Sequence, residues 1–254
     1  MDHWITGQAA IVMKVTGRRE AGLSTNVMSW RSTQEKEKLM KFKPEMLRVY
    51  LIAGTQDVNH DIDDYLRRVK KALIAGVTAF QFREKGSSQL TADERLTLAQ
   101  QCRELTTKYD VPLIIDDDYE LAIKVHADGV HVGQKDQRVE QVIAAVGDDM
   151  FVGYSCNTKA QIDHANQLQK IAYLGSGPVF PTGSKDDADP VMGFEKLKEL
   201  VEYSNFPIVA VGGITPDNAK DTVDKTGVAG ISGISMIMQS PDVEQTVKDL
   251  LSIY

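Results

Sequence analysis

Residues 79–117 read AFQFREKGSSQLTADERLTLAQQCRELTTKYDVPLIIDD, and this stretch decides the fold. Two short apolar runs, Ala79–Arg83 and Leu113–Asp117, flank a segment, Thr91–Tyr109, whose apolar residues recur at three- and four-residue spacing. The two runs have the near-continuous apolar character of parallel strands covered on both faces, whereas the segment between them has helical spacing. Thr91–Glu94 forms a capping box at its start. The stretch therefore predicts a strand–helix–strand unit.

The same alternation continues along the chain from residue 48, and it predicts eight strands with helices such as Ile62–Ala75 and Lys159–Gln169 between them. Strands that alternate with helices imply right-handed crossovers and a parallel sheet. Eight units in about 205 residues match a single (β/α)8 TIM barrel spanning 40–254. A doubly wound open sheet is the alternative, but no GxGxxG follows the first strand. The other predicted strands are Arg48–Gly54, Gly129–Gly133, Phe151–Ser155, Ile171–Gly175, Pro207–Gly213 and Gly230–Ile237.

The composition of the 254-residue chain, 42% hydrophobic and 26% charged, is that of an ordinary globular protein. Its net charge of -7 argues against a general nucleic-acid binder, and no apolar stretch reaches the roughly 20 residues that span a bilayer. Cys102 and Cys156 form no CxxC pair, so they signal neither a disulfide framework nor a zinc site. We predict a cytoplasmic protein with small-molecule partners, no nucleic acid and no membrane. The sequence leaves open whether it forms a homo-oligomer.

Residues 1–39 have no sustained hydrophobic period and are predicted to be an extension outside the barrel domain. The apolar run Ile11–Met13 is too short for the core of a secretory signal. Lys36-Glu37 can be encoded by a purine-rich sequence that resembles a ribosome-binding site, which favours Met40 or Met46 as the initiator. We expect the extension to be poorly ordered. A peptide from this segment in the mass spectrum of the native protein would contradict the initiator hypothesis.

Groups that bind anions follow several of the predicted strands, whose carboxyl ends meet at one mouth of such a barrel. Arg83 and Lys85 lie two residues apart, so they point to one side of the strand and can grip a phosphate. Alternatively, these two side chains are a solvated pair in a loop. Gln81 is either a donor to a ring nitrogen of the ligand or a residue of the inner barrel layer. Ser155 either donates to a phosphate or caps the next helix. His131, in mid-strand, is interpreted as structural. Further candidates are Thr182, Ser184, Lys185, Gly213, Ile234 and Ser235.

Three adjacent carboxylates, Asp116–Asp118, end the third predicted strand directly after a buried run. They repel one another unless a cation is present, and Mg²⁺ favours one or two carboxylates together with substrate phosphate oxygens. Asp136 ends the next strand and supplies a second carboxylate. We therefore predict a Mg²⁺ site at Asp117 and Asp136, beside a basic site for a diphosphate and a backbone-rich site for a monophosphate. The alternative for Asp118 and Glu120 is capping of the following helix.

The order of these motifs resembles the thiamine-phosphate synthase family over residues 47–252. The resemblance implies a Mg²⁺-dependent transferase on a (β/α)8 barrel. Its substrates would be 4-amino-2-methyl-5-(diphosphooxymethyl)pyrimidine and 4-methyl-5-(2-phosphooxyethyl)thiazole, and its products thiamine phosphate and pyrophosphate. In the family the diphosphate departs first and the thiazole nitrogen captures the cation left behind. The motifs are QFREK at 81–85, DD at 116–117, ADGVHVGQKD at 127–136, GYS at 153–155, GPVFPTGSKDDAD at 177–189, AVGGI at 210–214 and GISGIS at 230–235.

The resemblance also implies roles for individual residues. Asp117 and Asp136 would ligate Mg²⁺, and the groups that contact the diphosphate, Lys85, Lys185 and Ser155, would be catalytic. Binding of the pyrimidine diphosphate is implied for Gln81, Phe82, Arg83, Glu84, Lys85 and Asp116. Binding of the thiazole phosphate is implied for Thr182, Gly183, Ser184, Gly213, Ile234 and Ser235.

The chain departs from the family pattern at three places, of which Ser184 keeps the hydroxyl of the Thr that is usual there. Asp116–Asp118 stands where Asn-Asp-Arg is usual, so we expect weaker substrate binding or a higher Mg²⁺ requirement. Asn157 stands where a His is common, and a thiazole tautomerase-type paralogue of the same fold uses that His. Its absence favours the synthase. A catalytically impaired barrel that binds thiamine intermediates as a regulator is the alternative, and a turnover assay with both substrates separates the two.

Overall fold

The computed structural model describes residues 40–183 and 190–254. Eight parallel strands close into a barrel in sequence order, and β1 pairs with β8. The predicted (β/α)8 barrel is thereby confirmed. The predictions made for residues 1–39, Ser184 and Lys185 lie outside the described residues. The strands are β1 Val49–Ala53, β2 Ala79–Phe82, β3 Leu113–Asp116, β4 Gly129–Val132, β5 Phe151–Ser155, β6 Ile171–Ser176, β7 Ile208–Ala210 and β8 Gly230–Gly233.

Helices cover the outside of the barrel, and within the described ranges we number them α1 to α9. The predicted capping box of α2 is present: the Thr91 N–H donates to Glu94 Oε2 at 2.9 Å, and the Glu94 N–H donates to Thr91 Oγ1 at 3.3 Å. None of these helices is long and apolar enough to cross a bilayer. They are α1 Ile62–Ala75, α2 Ala92–Tyr109, α3 Tyr119–Lys124, α4 Val139–Val146, α5 Lys159–Gln167, α6 Gly193–Tyr203, α7 Pro216–Thr226, α8 Ser235–Met238 and α9 Val243–Leu251.

The last two strands are shorter than predicted. β7 ends at Ala210 because Gly212 and Gly213 adopt φ values of +89° and +69°, which no extended strand permits. β8 ends at Gly233, and the apolar run that follows it forms the single-turn helix α8. A short apolar run has no period long enough to separate a strand from a buried helical turn.

Side chains that point into the barrel form a layer separate from the core between sheet and helices. Tyr173 lies at its centre with no exposed surface, and its ring occupies space left by a glycine on β5. A Cβ at Gly153 would lie 2.2 Å from Cζ of Tyr173, so any larger residue there would displace the ring. The apolar members of this inner layer are Leu47, Tyr50, Ile52, Ala79, Ile114, Tyr173 and Val209.

Candidate active site

A cavity opens at the carboxyl ends of the strands, where the polar motifs were predicted to meet. Its empty space, counted out to the open mouth, is about 1280 Å³, which accommodates more than one small ligand. Residues from β2, β3, β4 and β5 form one side, and the loops after β6, β7 and β8 form the other. Most described candidates line it: Gln81, Arg83, Lys85, Asp116, Asp136, Ser155, Thr182, Gly213, Ile234 and Ser235.

The side chains of Phe82 and Glu84 lie away from this cavity. Phe82 is in the core between sheet and helices, because alternate residues of β2 face opposite sides. Glu84 accepts hydrogen bonds from both the backbone N–H and the hydroxyl of Thr55, the latter at 2.9 Å, and from Ser88 Oγ at 2.5 Å. Glu84 therefore connects the loop after β2 to the loop after β1. Its predicted contact with substrate stays a prediction.

The basic groups in the loop after β2 reach carboxylates at the end of β3 and in the loop after β4. Lys85 Nζ donates a hydrogen bond to Asp136 Oδ1 and lies 3.8 Å from Asp117 Oδ2. Arg83 Nε lies 3.4 Å from Asp116 Oδ2, and both side chains are largely buried. Burial alone would lower the pKa of Lys85, but the hydrogen bond to Asp136 and the neighbouring negative charges outweigh it and raise that pKa. Lys85 therefore stays charged at neutral pH.

Asp117 is held in a conformation that leaves part of its carboxylate without a partner. Its φ is +65°, and its backbone N–H donates to the His131 carbonyl at 2.8 Å. Its Oδ1 is buried and has no hydrogen-bond partner among residues 40–183 and 190–254. Burial, together with the charge of Asp136, raises the pKa of Asp117. A bound cation would give Oδ1 a partner and would lower the pKa of Asp117 again.

The Asp117 and Asp136 pair fits a Mg²⁺ ion on chemical grounds. Both are carboxylates, the hard oxygen ligands that this ion prefers, and Mg²⁺ is ordinarily held by one or two of them plus phosphate oxygens. Asp136 is positioned by the loop after β4, where the Gly133 N–H donates to Asp136 Oδ2 at 3.0 Å. No three His, Cys, Asp or Glu side chains converge into a fuller metal cage within the described residues. The predicted two-carboxylate site is smaller than such a cage.

The third aspartate of the run has a different role. Asp118 Oδ1 accepts from the Leu121 N–H at 2.9 Å and so caps α3, as the alternative interpretation allowed. Its Oδ2 accepts from Arg95 of α2 at 2.7 Å. The negative charge that replaces the family's usual Arg is therefore paired on the outer side of the barrel. Of the two substitutions in this run, Asp116 alone adds a carboxylate to the cavity wall.

A chain of hydrogen bonds crosses the barrel beneath the cavity, and sequence reasoning missed most of it. Gln81 Nε2 donates to Tyr50 Oη at 2.9 Å, and Tyr50 Oη lies 2.8 Å from Tyr173 Oη. Tyr173 Oη lies 3.1 Å from His131 Nδ1, and His131 Nε2 lies 2.9 Å from Ser155 Oγ. Burial raises the pKa of both tyrosines, so both remain neutral hydroxyls. His131 thus lines the cavity as well as supporting the barrel.

The loops after β6 and β7 are packed closely enough to require glycine. The Phe180 N–H donates to the Gly212 carbonyl at 3.1 Å. A Cβ at Gly213 would lie 2.6 Å from the Phe180 carbonyl oxygen. Thr182 and Gly213 therefore reach the same wall of the cavity. Ile234 and Ser235, at the start of α8, complete this side, where barrels of this kind often bind phosphate.

The residues after β5 offer no proton-transfer group for a tautomerase-type reaction. Asn157 Oδ1 accepts from the Gly177 N–H at 3.0 Å, which connects the loops after β5 and β6. An amide cannot act as a base at neutral pH. The neighbouring thiol, Cys156, is buried, and burial raises its pKa to about 12. Cys156 therefore stays protonated and is not a nucleophile.

Comparison with known proteins gives a consistent result over the barrel. A family model described as thiamine monophosphate synthase matches residues 49–237. The thiamine-phosphate synthases of Limosilactobacillus fermentum and Limosilactobacillus reuteri are 57% and 52% identical over 215 residues, which cover 85% of this chain and 100% of each relative.

Solved structures agree with that result. The thiamine phosphate pyrophosphorylase from Pyrococcus furiosus is 33% identical, with a TM-score of 0.71, over 83% of this chain and 96% of that chain. The phosphoribosyl anthranilate isomerase from Thermotoga maritima, at 13% identity, a TM-score of 0.56 and coverage of 82% and 98%, shares the fold alone.

Proposed function

Because the chain belongs to the thiamine-phosphate synthase family, we propose that its cavity holds a pyrimidine diphosphate and a thiazole phosphate side by side and joins them in a Mg²⁺-dependent reaction. The enzyme is a transferase whose product is thiamine phosphate. Two features of the wall support the proposed arrangement. Cations and carboxylates gather on one side, whereas glycine-rich loops and hydroxyls gather on the other.

The first step breaks the bond between the methylene carbon of the pyrimidine and the diphosphate oxygen. Both bonding electrons leave with the diphosphate, so negative charge grows on the leaving group and positive charge on the carbon. Fixed cations and hydrogen-bond donors stabilise such a charge more in the transition state than in the ground state. Arg83 and Lys85 supply the cations, and Ser155 supplies a hydroxyl on the neighbouring wall.

In the second step the lone pair of the thiazole nitrogen forms a bond to the methylene carbon. The positive charge passes to the thiazolium ring, and no proton has to leave either substrate. This agrees with the segment after β5, where Asn157 and the buried thiol of Cys156 offer no base. Proximity of the two substrates supplies much of the remaining rate enhancement.

Asp117 and Asp136 would hold the Mg²⁺ ion. When bound, the ion would neutralise charge on the diphosphate as a Lewis acid. Lys85 contacts both carboxylates, so it offsets part of their negative charge and lies beside the proposed diphosphate position. Asp117 Oδ1, which has no hydrogen-bond partner in the part of the chain that the structure describes, supports this proposal most directly, because a buried carboxylate oxygen without a partner is costly.

The thiazole phosphate is proposed to bind on the opposite wall, where its phosphate would meet backbone N–H groups and hydroxyls. Thr182, Gly213 and Ser235 lie there, and Gly183 lies in the adjoining part of the mouth. Lys185 and Ser184 remain candidates on the strength of the family resemblance.

The observation that carries the proposal is that Lys85, which lines the cavity, contacts both Asp117 and Asp136. The three residues follow three neighbouring strands. The test is to incubate the purified full chain with both substrates and Mg²⁺ and to follow thiamine phosphate and pyrophosphate together. The proposal expects both products in equal amounts and a collapse of turnover in Lys185→Ala. Tight binding of substrates with no turnover would favour the regulatory alternative instead.

A further inference from the structure

The hydrogen-bond chain beneath the cavity contains groups that the reaction, as described so far, does not use. Tyr173 has no exposed surface, and His131 is buried between it and Ser155. Yet this series of hydrogen bonds ends at the hydroxyl of Ser155, which is proposed above to face the diphosphate. Its function therefore depends on which way each hydrogen bond points.

The first bond fixes the direction of the others. Gln81 Nε2 can only donate, so Tyr50 Oη accepts. A phenol has one proton, and in a fully buried site that proton needs an acceptor. Tyr173 Oη, at 2.8 Å, is the acceptor on this path. By the same reasoning Tyr173 donates its own proton to His131 Nδ1.

A neutral imidazole that accepts at Nδ1 carries its proton on Nε2. His131 Nε2–H then donates to Ser155 Oγ at 2.9 Å, and the Ser155 proton is left to point elsewhere. Ser155 lines the cavity, so its O–H is directed at a bound ligand. With the opposite tautomer Ser155 would donate to His131 and would present only lone pairs to an anion.

We propose that the chain from Gln81 through Tyr50, Tyr173 and His131 is a positioning device that turns the Ser155 hydroxyl into a hydrogen-bond donor toward the departing diphosphate. The proposal rests on the proposed function, since it takes the anion near Ser155 to be that diphosphate. Tyr173 and His131 are positioning residues on this account because they act through Ser155. Neither has to touch the substrate.

The kinetic test compares Tyr173→Phe, Ser155→Ala and the double variant, all as the full chain. Removal of one preorganised donor to a developing anion lowers kcat by roughly 100-fold. We expect Tyr173→Phe to lower kcat by about 10- to 100-fold with little change in either KM, and the double variant to be no slower than Ser155→Ala alone. Losses that multiply in the double variant would overturn the proposal.

The matched control is Tyr65→Phe, which removes the hydroxyl of an equally buried tyrosine that takes no part in this series of hydrogen bonds. Tyr65 Oη has only a long contact of 3.4 Å to the Ala53 carbonyl and one of 3.8 Å to Cys102 Sγ. We expect its kcat to stay within about two-fold of the parent value. A loss as large as that of Tyr173→Phe would assign the effect to general packing and overturn the proposal.

A spectroscopic test is independent of activity and is made on the parent chain. ¹⁵N-labelled histidine in the substrate-free chain reports which ring nitrogen carries the proton, with the His131 signal identified by its loss in His131→Gln. We expect the Nε2–H tautomer, and the Nδ1–H tautomer would overturn the proposal. If the parent protein makes no thiamine phosphate, the proposed function fails. The histidine measurement still decides in which direction the hydrogen bonds from Gln81 to Ser155 point.

Discussion

The ammonium group of Lys85 and the carboxylate of Asp136, 51 positions apart in the sequence, form an ion pair across the edge of the cavity. The pair joins the loop after β2 to the loop after β4. Asp117, which directly follows β3, lies 3.8 Å from the same ammonium nitrogen. Two carboxylates and one cation leave a net negative charge there, and that charge suits a divalent ion accompanied by a diphosphate.

Loss of one proposed metal ligand is expected to reduce activity sharply. In Asp136→Asn we predict a fall in kcat/KM of roughly 100-fold, about 2.7 kcal/mol of transition-state stabilisation, with a higher Mg²⁺ concentration at half-maximal rate. The measurement is a Mg²⁺ titration of initial rates. Asp118→Asn is the matched control, because Asn also caps helices well and Asp118 is paired with Arg95 outside the cavity. Equal losses in both variants would contradict the metal assignment.

The connection that Glu84 makes between two loops is expected to affect both the free energy of unfolding and the KM of the pyrimidine diphosphate. Glu84→Gln removes charge from a group that accepts hydrogen bonds from Thr55 and Ser88. We predict a loss of about 1–2 kcal/mol in the free energy of unfolding, and a higher KM for the pyrimidine diphosphate, because Arg83 and Lys85 flank Glu84 in the sequence. Chemical denaturation and steady-state kinetics measure the two effects. A selective rise in the KM of the thiazole phosphate would contradict this prediction.

The close approach of two loops at Gly213 predicts that a larger residue there weakens binding of the thiazole phosphate. Ala at this position combines left-handed strain of roughly 1–2 kcal/mol with a clash against the Phe180 backbone. We expect Gly213→Ala to raise the KM of the thiazole phosphate by about ten-fold, which is about 1.4 kcal/mol. Gly147→Ala is the control, because Gly147 has φ +58° and nothing lies within 4 Å of the place that an added Cβ would take. It should lose stability without any change in KM.

Burial of Asp57 predicts a pH-dependent change in stability. Burial raises the pKa of Asp57 from its ordinary 3.8 to about 6, against the opposing hydrogen bond from the Gly54 N–H. The folded state therefore binds this proton more tightly than the unfolded state, so the contribution of Asp57 is most favourable below pH 4 and is lost as the pH rises to about 6.

Asp57→Asn keeps an acceptor for Gly54 but removes the charge. We expect it to stabilise the protein at pH 7.5 by roughly 1–2 kcal/mol, after allowance for partial solvent screening, and to have little effect near pH 4. Urea unfolding at the two pH values makes the measurement. A stabilisation that is the same at both would show that the desolvated charge is not its cause.

The barrel could be predicted from the sequence because each βα unit repeats the same pattern of apolar runs and amphipathic segments. The error at the end of β8 has a physical cause, since Ile237 and Met238 are buried in the helical turn just as they would be in a strand. Burial alone does not distinguish the two over four residues.

The site could be predicted in part. Asp116, Asp117 and Asp118 lie at one strand end, as predicted, but their carboxylates face three different cations, Arg83, Lys85 and Arg95 respectively. The hydrogen-bond chain escaped prediction because it depends on the register of several strands. Nothing in the local sequence around Tyr50 or Tyr173 indicates that their hydroxyls meet.

In the proposed reaction, positive groups at the strand ends, together with a divalent ion held by Asp117 and Asp136, draw the diphosphate away from its carbon. Single-turnover release of pyrophosphate, measured with the parent chain in excess Mg²⁺ and again after chelation, tests it most directly. We expect the rate of release to fall by at least about 100-fold on chelation and to recover when Mg²⁺ is returned. Release at an unchanged rate in the presence of chelator would contradict it.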